Sequence, residues 1–290
     1  MAPYDSHHRT VTARACRGEG DPVQRPSWAP DDVDIDRPSA ARVYDYYLGG
    51  LHNFAVDRAM AERAVADWPE LPRIMHANRA FLRRAVRHLA AQGVDQFLDI
   101  GSGIPTVGNV HEVAQAARPD ARVVYVDIDP VAVAHARALL ADDARTGIVQ
   151  ADFTDVAAVL DDPVTRSLLD LSRPVGVLVV ALLHFVGDDR RPGEVLARYR
   201  EAMAPGSHLV VSHASADGAP DRADDHEALY RRTATPMTMR SRDEVAALLE
   251  GFTLAAPGLV FLPEWRPDDP SAVLEHPERF TGYAAVGRRD

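Results

Sequence analysis

The chain has 290 residues, enough for one large domain or two small ones, and its 46% hydrophobic and 26% charged content suits a globular protein with a sizeable core. A net charge of −11 disfavours a nonspecific nucleic-acid surface, and the absence of lysine excludes a lysine nucleophile, a Schiff base and a lysine-dependent phosphate loop. The single cysteine, Cys16, allows no internal disulfide framework, no apolar run is long enough to span a membrane, and no signal-peptide core opens the chain, so a cytoplasmic protein is expected.

Residues 1–35 mix Pro, Gly, Asp and Arg without periodicity and read as a disordered tail, with His7 and His8 part of it rather than a metal site. From Ser39, a candidate helix cap, Val43, Tyr44, Tyr47 and Leu48 recur at helical spacing until Gly49-Gly50 stops them. A second helix is expected over about 56–66 and a third over about 73–91. The third has an apolar face that includes Ile74, Phe81, Leu82, Ala85 and Leu89, with Arg79, Arg83, Arg84 and Arg87 largely opposite.

From residue 95 strands and helices alternate: strand 95–100, helix 107–117, strand 121–127, helix 130–141, strand 146–150, an apolar central strand 174–182, helix 192–203 and strand 207–212. This rhythm indicates an α/β protein with a parallel sheet and right-handed crossovers. The polar stretch 213–242 interrupts it, with a helix expected near 224–233. A helix at 243–250 and strands at 252–254 and 283–287 complete the chain.

The most informative stretch is Phe97-Leu98-Asp99-Ile100-Gly101-Ser102-Gly103. Apolar residues end a buried strand, Asp99 sits where a carboxylate can face a crevice, and the glycines let the chain turn and a ligand touch backbone. Taken alone, Gly-x-Gly equally fits a tight turn that binds nothing. A dinucleotide fingerprint needs a third glycine where Thr106 stands, which disfavours a nucleotide-dependent oxidoreductase. The next strand, Val123 to Val126, stops at Asp127, an acid placed to accept from both hydroxyls of a ribose.

Asp99-Ile100-Gly101-Ser102-Gly103 and Asp127 resemble the first motif and the ribose-binding acid of class I S-adenosylmethionine-dependent methyltransferases. The segments RPSAARVYDYYLGGLHNFAVDR, NRAFLRRAVRHLA, QFLDIGSGIPT, NVHEVAQ and VVYVDIDPVAVAHARALL resemble the actinobacterial S-adenosyl methyltransferase family once known as DUF574. The resemblance covers nearly everything from Asp36 onward. It implies a Rossmann-like seven-stranded sheet with its last strand antiparallel, spanning residues 95–290, under an N-terminal helical lid of residues 36–94. It also implies S-adenosyl-L-methionine as cofactor.

Under that resemblance Gly101, Ser102 and Gly103 border the amino-acid end of the cofactor, and Asp99 lies beneath it. Asp127 takes the ribose and Ile128 packs on the adenine. Asp152 accepts from the adenine amino group, with the Phe153 backbone facing the ring. Ala181-Leu182-Leu183-His184-Phe185 resembles the LHH-type segment of small-molecule methyltransferases. Ala181 would line the methionine end, and His184 is the candidate general base, since imidazole titrates near neutrality. His213 is a weaker candidate. Tyr44, Tyr47, Asn53, Asn78 and Arg79 are candidates to cover the pocket, Arg79 by pairing with the methionine carboxylate.

The expected reaction is methyl transfer to O or N of a small molecule, with no metal, no membrane and no nucleic acid as partner. The alternatives are a non-catalytic S-adenosylmethionine-binding protein and the disfavoured oxidoreductase.

Overall fold

The computed structural model describes residues 33–105, 108–231, 233, 235–269, 271 and 275–290. All but the last three residues of the expected tail, and Thr106 at the third-glycine position, lie outside the described residues. No helix among the described residues is long and apolar enough to cross a membrane.

Three helices come first: α1 (Ala40–Tyr47), α2 (Ala55–Asp67) and α3 (Leu71–Ala91). The alternating part follows as β1 (Gln96–Ile100), α4 (Val110–Ala117), β2 (Arg122–Asp127), α5 (Pro130–Leu139), β3 (Thr146–Gln150), α6 (Val156–Leu160), α7 (Pro163–Leu168), β4 (Gly176–Val180), α8 (Pro192–Ala202) and β5 (His208–Ala214). The chain ends with α9 (Pro220–Tyr230), α10 (Arg242–Leu248), β6 (Thr253–Leu254), β7 (Val260–Phe261) and β8 (Gly282–Arg288). The sheet runs β3-β2-β1-β4-β5-β8-β6, with β7 also on β8. The first five strands in that order pair in parallel, whereas β8 pairs antiparallel with β5, β6 and β7.

The path of the sheet has the expected seven strands, and β7 adds a short eighth beside β8. The extra strand, β7, has two residues, as short as β6, while α6 and α7 have five and six. Such lengths leave no readable period, because a helix shows its face only over several turns.

β1 and β4 are buried along their whole length, as central parallel strands covered on both faces must be. One core lies on the α3 side of the sheet and includes Phe81, Leu89, Phe97, Val123 and Trp265. The other contains Leu98, Val124, Val177, Leu209 and Tyr199. Arg84 departs from the expected solvent face of α3. It is buried, and donates from Nε to the Trp265 carbonyl at 2.9 Å and from Nη2 to the Leu262 carbonyl at 2.8 Å. Trp265 itself is fully buried edge-to-face against Phe81, anchoring its loop.

The N-terminal helices are pinned to the sheet domain by polar and apolar contacts. Val33 and Phe54 pack with Ile104, Val131 and Ala132, so a residue of the expected tail, which ends at Ile35, is already packed. The buried Asp57 carboxylate accepts from the Ser39 and Phe54 backbone at 3.0 and 2.8 Å and pairs with Arg42 Nε at 3.2 Å. The Ser39 hydroxyl donates to Asp129, the residue that caps α5. α1 is thereby held over the carboxyl ends of the parallel strands.

Candidate active site

The strand order reverses between β1 and β4, and a ligand crevice of an open α/β sheet forms outside the strand ends at such a point. A crevice of about 450 Å³ lies there, inside the range of small-molecule sites. Its floor is the turn after β1, where Gly101 and Gly103 have φ of 71° and 68°. These left-handed angles favour glycine, and a Cβ at Gly103 would point into open space.

Two buried carboxylates face the crevice. Asp127 accepts from the Gly103 N–H at 2.7 Å and, through its other oxygen, from the Asp129 N–H at 2.8 Å. It thus fixes the glycine turn as well as ending β2. Burial pushes its carboxyl up to about 6, against the pull of those N–H groups. Asp99 is only 4% exposed and has no hydrogen-bond donor among the described residues. Burial pushes it up to about 7, with Arg79 opposing and the Asp127 charge adding to the rise.

The other walls come from three places. After β3, Asp152, Phe153 and Thr154 line one side, joined by Arg190, which pairs with Asp152 at 2.9 Å. Burial works against the Asp152 carboxylate, but Thr154 and Arg190 hold it below the usual range. Ile128 lies at the crevice 56% exposed, an apolar side chain with little protein over it. At the end of β4, Ala181 takes φ of 56°, a strained angle for a residue with a Cβ, and its N–H donates to Ser212 Oγ at 2.9 Å. Ser212 Oγ in turn donates to Asn78 Oδ1 at 2.6 Å, and Asn78 Nδ2 donates to the Tyr44 hydroxyl at 2.9 Å. This relay locks β4, β5, α3 and α1 around one corner of the crevice. Arg79 lines the same region.

The S-adenosyl methyltransferase family model matches residues 26–290. The chain belongs to that family. A DUF574 family protein of Streptomyces avermitilis is similar at 40% identity and a TM-score of 0.84, covering 89% of this chain and all of its own. A candidate methyltransferase of Thermobifida fusca is similar at 41% identity and a TM-score of 0.85, covering 91% of this chain and all of its own. No curated protein matches. The protein is thus an S-adenosylmethionine-dependent methyltransferase of the class I fold.

The crevice of this methyltransferase fits its cofactor. A buried carboxylate without a hydrogen-bond donor among the described residues, Asp99, suits an ammonium, the bare Gly103 backbone leaves room beside it, and the exposed Ile128 offers an apolar surface for a base. Of the residues singled out from the sequence, Asn78, Arg79, Asp99, Gly101, Ser102, Gly103, Asp127, Ile128, Asp152, Phe153 and Ala181 line this one crevice.

Three others lie elsewhere. Asn53 is buried in the α1–α2 connection, donating to Asp45 at 2.8 Å and to the Gly50 carbonyl at 3.0 Å, so it buttresses a loop. Tyr47 does not line the crevice but a smaller cavity, with Tyr230. His184 also lines that cavity, and its Nδ1 accepts from the Ala214 N–H at 3.3 Å, which puts its proton on Nε2. Burial, with His213, His226 and Arg240 nearby, holds it well below the usual histidine range. It is a neutral imidazole whose lone pair is engaged, not one offered to the crevice. His213 donates from Nδ1 to the Ala214 carbonyl at 2.7 Å and accepts at Nε2 from Arg240 at 2.8 Å, and is likewise occupied.

The sequence did not place Ser39, Arg190, Thr235 or Thr238 at the crevice, which all four line. The break in rhythm over 213–242 was the available signal. A segment outside the strand–helix repeat has to lie across the sheet edge or its ends, and here the Thr238 N–H donates to the His184 carbonyl at 2.7 Å.

Proposed function

We propose that this methyltransferase acts on an oxygen or nitrogen of a small molecule, and that the crevice residues bind S-adenosylmethionine in the orientation set by their chemistry. Asp127 takes the two ribose hydroxyls on the lone pairs left beside the Gly103 and Asp129 N–H groups. Asp99 faces the ammonium and Arg79 the carboxylate of the methionine end. Ile128 and Phe153 border the adenine, with Asp152, steadied by Arg190, beside its amino group. When bound, S-adenosylmethionine supplies a sulfonium methyl, whose C–S bond breaks with its electron pair left on sulfur while the acceptor bonds the carbon and loses a proton.

The protein's own part is alignment and exclusion of water, which suffice for a displacement that needs its reacting atoms held in line. α1 roofs the crevice, and the Ala181–Ser212–Asn78–Tyr44 relay fixes the corner where the acceptor meets it. The carrying observation is the buried Asp99, which has no hydrogen-bond donor among the described residues, beside the Asp127-braced glycine turn. The net charge of −11 supports a small acceptor over a polyanion.

Calorimetric titration tests this. S-Adenosylhomocysteine should bind the full chain and NAD should not. Asp127→Ala should weaken that binding by about 2 kcal/mol or more, the scale of hydrogen bonds to a charged group. Unchanged affinity in a folded Asp127→Ala protein would remove Asp127 from the site, and preferential binding of NAD would remove the methyl-transfer reading.

A further inference from the structure

Next to the crevice lies a second cavity of about 60 Å³. Tyr44, Asn78, Ala181 and Phe185 line both spaces, so the two adjoin along these residues. The rest of the second cavity's lining includes Trp68, His226, Tyr230, Met75, Met237 and Met239. The two linings differ in kind. The crevice displays Asp99, Asp127, Asp152, Arg79 and Arg190, whereas no Asp, Glu or Arg among the described residues lines the second cavity.

We propose that the second cavity is the acceptor site and that it takes a neutral, single-ring aromatic hydroxyl compound, a phenol. This rests on the crevice holding S-adenosylmethionine as described above. The shared lining contains Ala181 at the end of β4 and Asn78, which accepts from Ser212, so an acceptor seated in the second cavity lies against the cofactor's methionine end.

The class of acceptor follows from the lining. A charged group pays a large desolvation penalty where no opposite charge is at hand, so neither a protonated amine nor a carboxylate suits this cavity. Among neutral nucleophiles, a phenol ionises near pH 10 and so gives up its proton far more readily than an aliphatic alcohol. The aromatic rings already present pair edge-on or tilted, Trp68 with His226 at 5.5 Å and Phe185 with Tyr230 at 5.5 Å, the arrangement in which one more ring is favoured. The cavity is smaller than the ~150 Å³ that admits benzene. Three methionines in its wall, unbranched and adaptable, are the side chains that yield to a ring.

The hydroxyl proton has a receiver. His184 and His213 have ring nitrogens already engaged, whereas the His226 ring has no hydrogen-bond partner among the described residues. His226 is neutral, held down to about 4 by burial, so it passes the proton on to water instead of keeping it. The positive charge lost at the sulfonium is thus matched by one that appears transiently on the imidazole.

The experiment uses the full chain loaded with S-adenosylhomocysteine and three compounds that share one hydroxylated ring: 4-ethylphenol, tyramine and 3-(4-hydroxyphenyl)propionate. Calorimetry should show 4-ethylphenol binding at least tenfold more tightly than the cationic and anionic members. Met239→Glu, which puts a carboxylate into the second cavity only, should weaken 4-ethylphenol at least tenfold and leave S-adenosylhomocysteine affinity as it was. If S-adenosylhomocysteine binds but the charged compounds bind equally well, or none of the three binds, or Met239→Glu changes nothing, the acceptor assignment is overturned while the methyltransferase reading stands. If S-adenosylhomocysteine itself does not bind, the reading beneath it falls as well.

Discussion

Asp99 and Asp127 are two acids that bind protons more tightly in the folded chain than in the unfolded one, where a carboxyl titrates near 3.9. The sign follows from that difference. Their contribution to stability is complete below about pH 4 and is lost as pH rises through about 6 for Asp127 and about 7 for Asp99. A ligand ammonium facing Asp99 favours its carboxylate and should expel the proton. Titrating S-adenosylhomocysteine at about pH 6.5 in two buffers of different ionisation heat should therefore reveal net proton release, fading by about pH 9. Equal heats in both buffers at the lower pH would contradict a charge pair at Asp99. At this scale the sequence was readable where the turn chemistry is local. Gly101, Gly103 and Asp127 sit within one strand–turn–helix span and its neighbour, so spacing reveals them. That Asp127 braces the Gly103 N–H could not be seen, because strand register brings the two together across 24 residues. The lone pair of His184 was equally hidden, since its donor, Ala214, lies 30 residues on, at the end of β5.

Among the elements, α1 and α2 carry the least obvious design. α2 has almost no apolar stripe, with only Asp57, Ala61 and Ala64 buried, and its start is fixed by Asp57. The Asp57 carboxylate gathers two backbone N–H groups and the Arg42 guanidinium in a dry site. Asp57→Ala leaves that guanidinium buried without its counter-charge, a loss on the order of 3–5 kcal/mol. Denaturant melts should show a fall of that size, and S-adenosylhomocysteine affinity should drop too, since Ser39, which lines the crevice, is positioned by Asp57. An unchanged unfolding midpoint would show that the pair is not needed to seat α1. The elements of residues 95–214 were legible because each has its own period and stop signal, Pro130 after Asp129 being the clearest. The short β6 and β7 were not both legible, and neither was their common pairing with β8, which depends on a partner far along the chain.

For the whole molecule, the helical segment before the sheet completes the crevice. Ser39, Ala40, Ala41 and Tyr44 line it from α1 and the residue before it, and Asn78, Arg79 and Leu82 from α3. Among the described residues, packing of the segment is present from Val33 on. Removal of residues 1–32 should leave cofactor affinity unchanged, whereas removal of 1–68 should abolish or strongly weaken it even if the sheet domain stays folded. Full affinity in the longer truncation would mean that α1 and α2 serve packing alone. The central claim, that one crevice orients the cofactor toward the neutral cavity beside it, is tested most directly by a crystal structure of the full chain with S-adenosylhomocysteine. The account predicts both ribose hydroxyls on Asp127, the ammonium against Asp99, and the sulfur facing the wall of Asn78, Ala181 and Phe185. A nucleoside bound elsewhere, or a sulfur turned away from that wall, would contradict it.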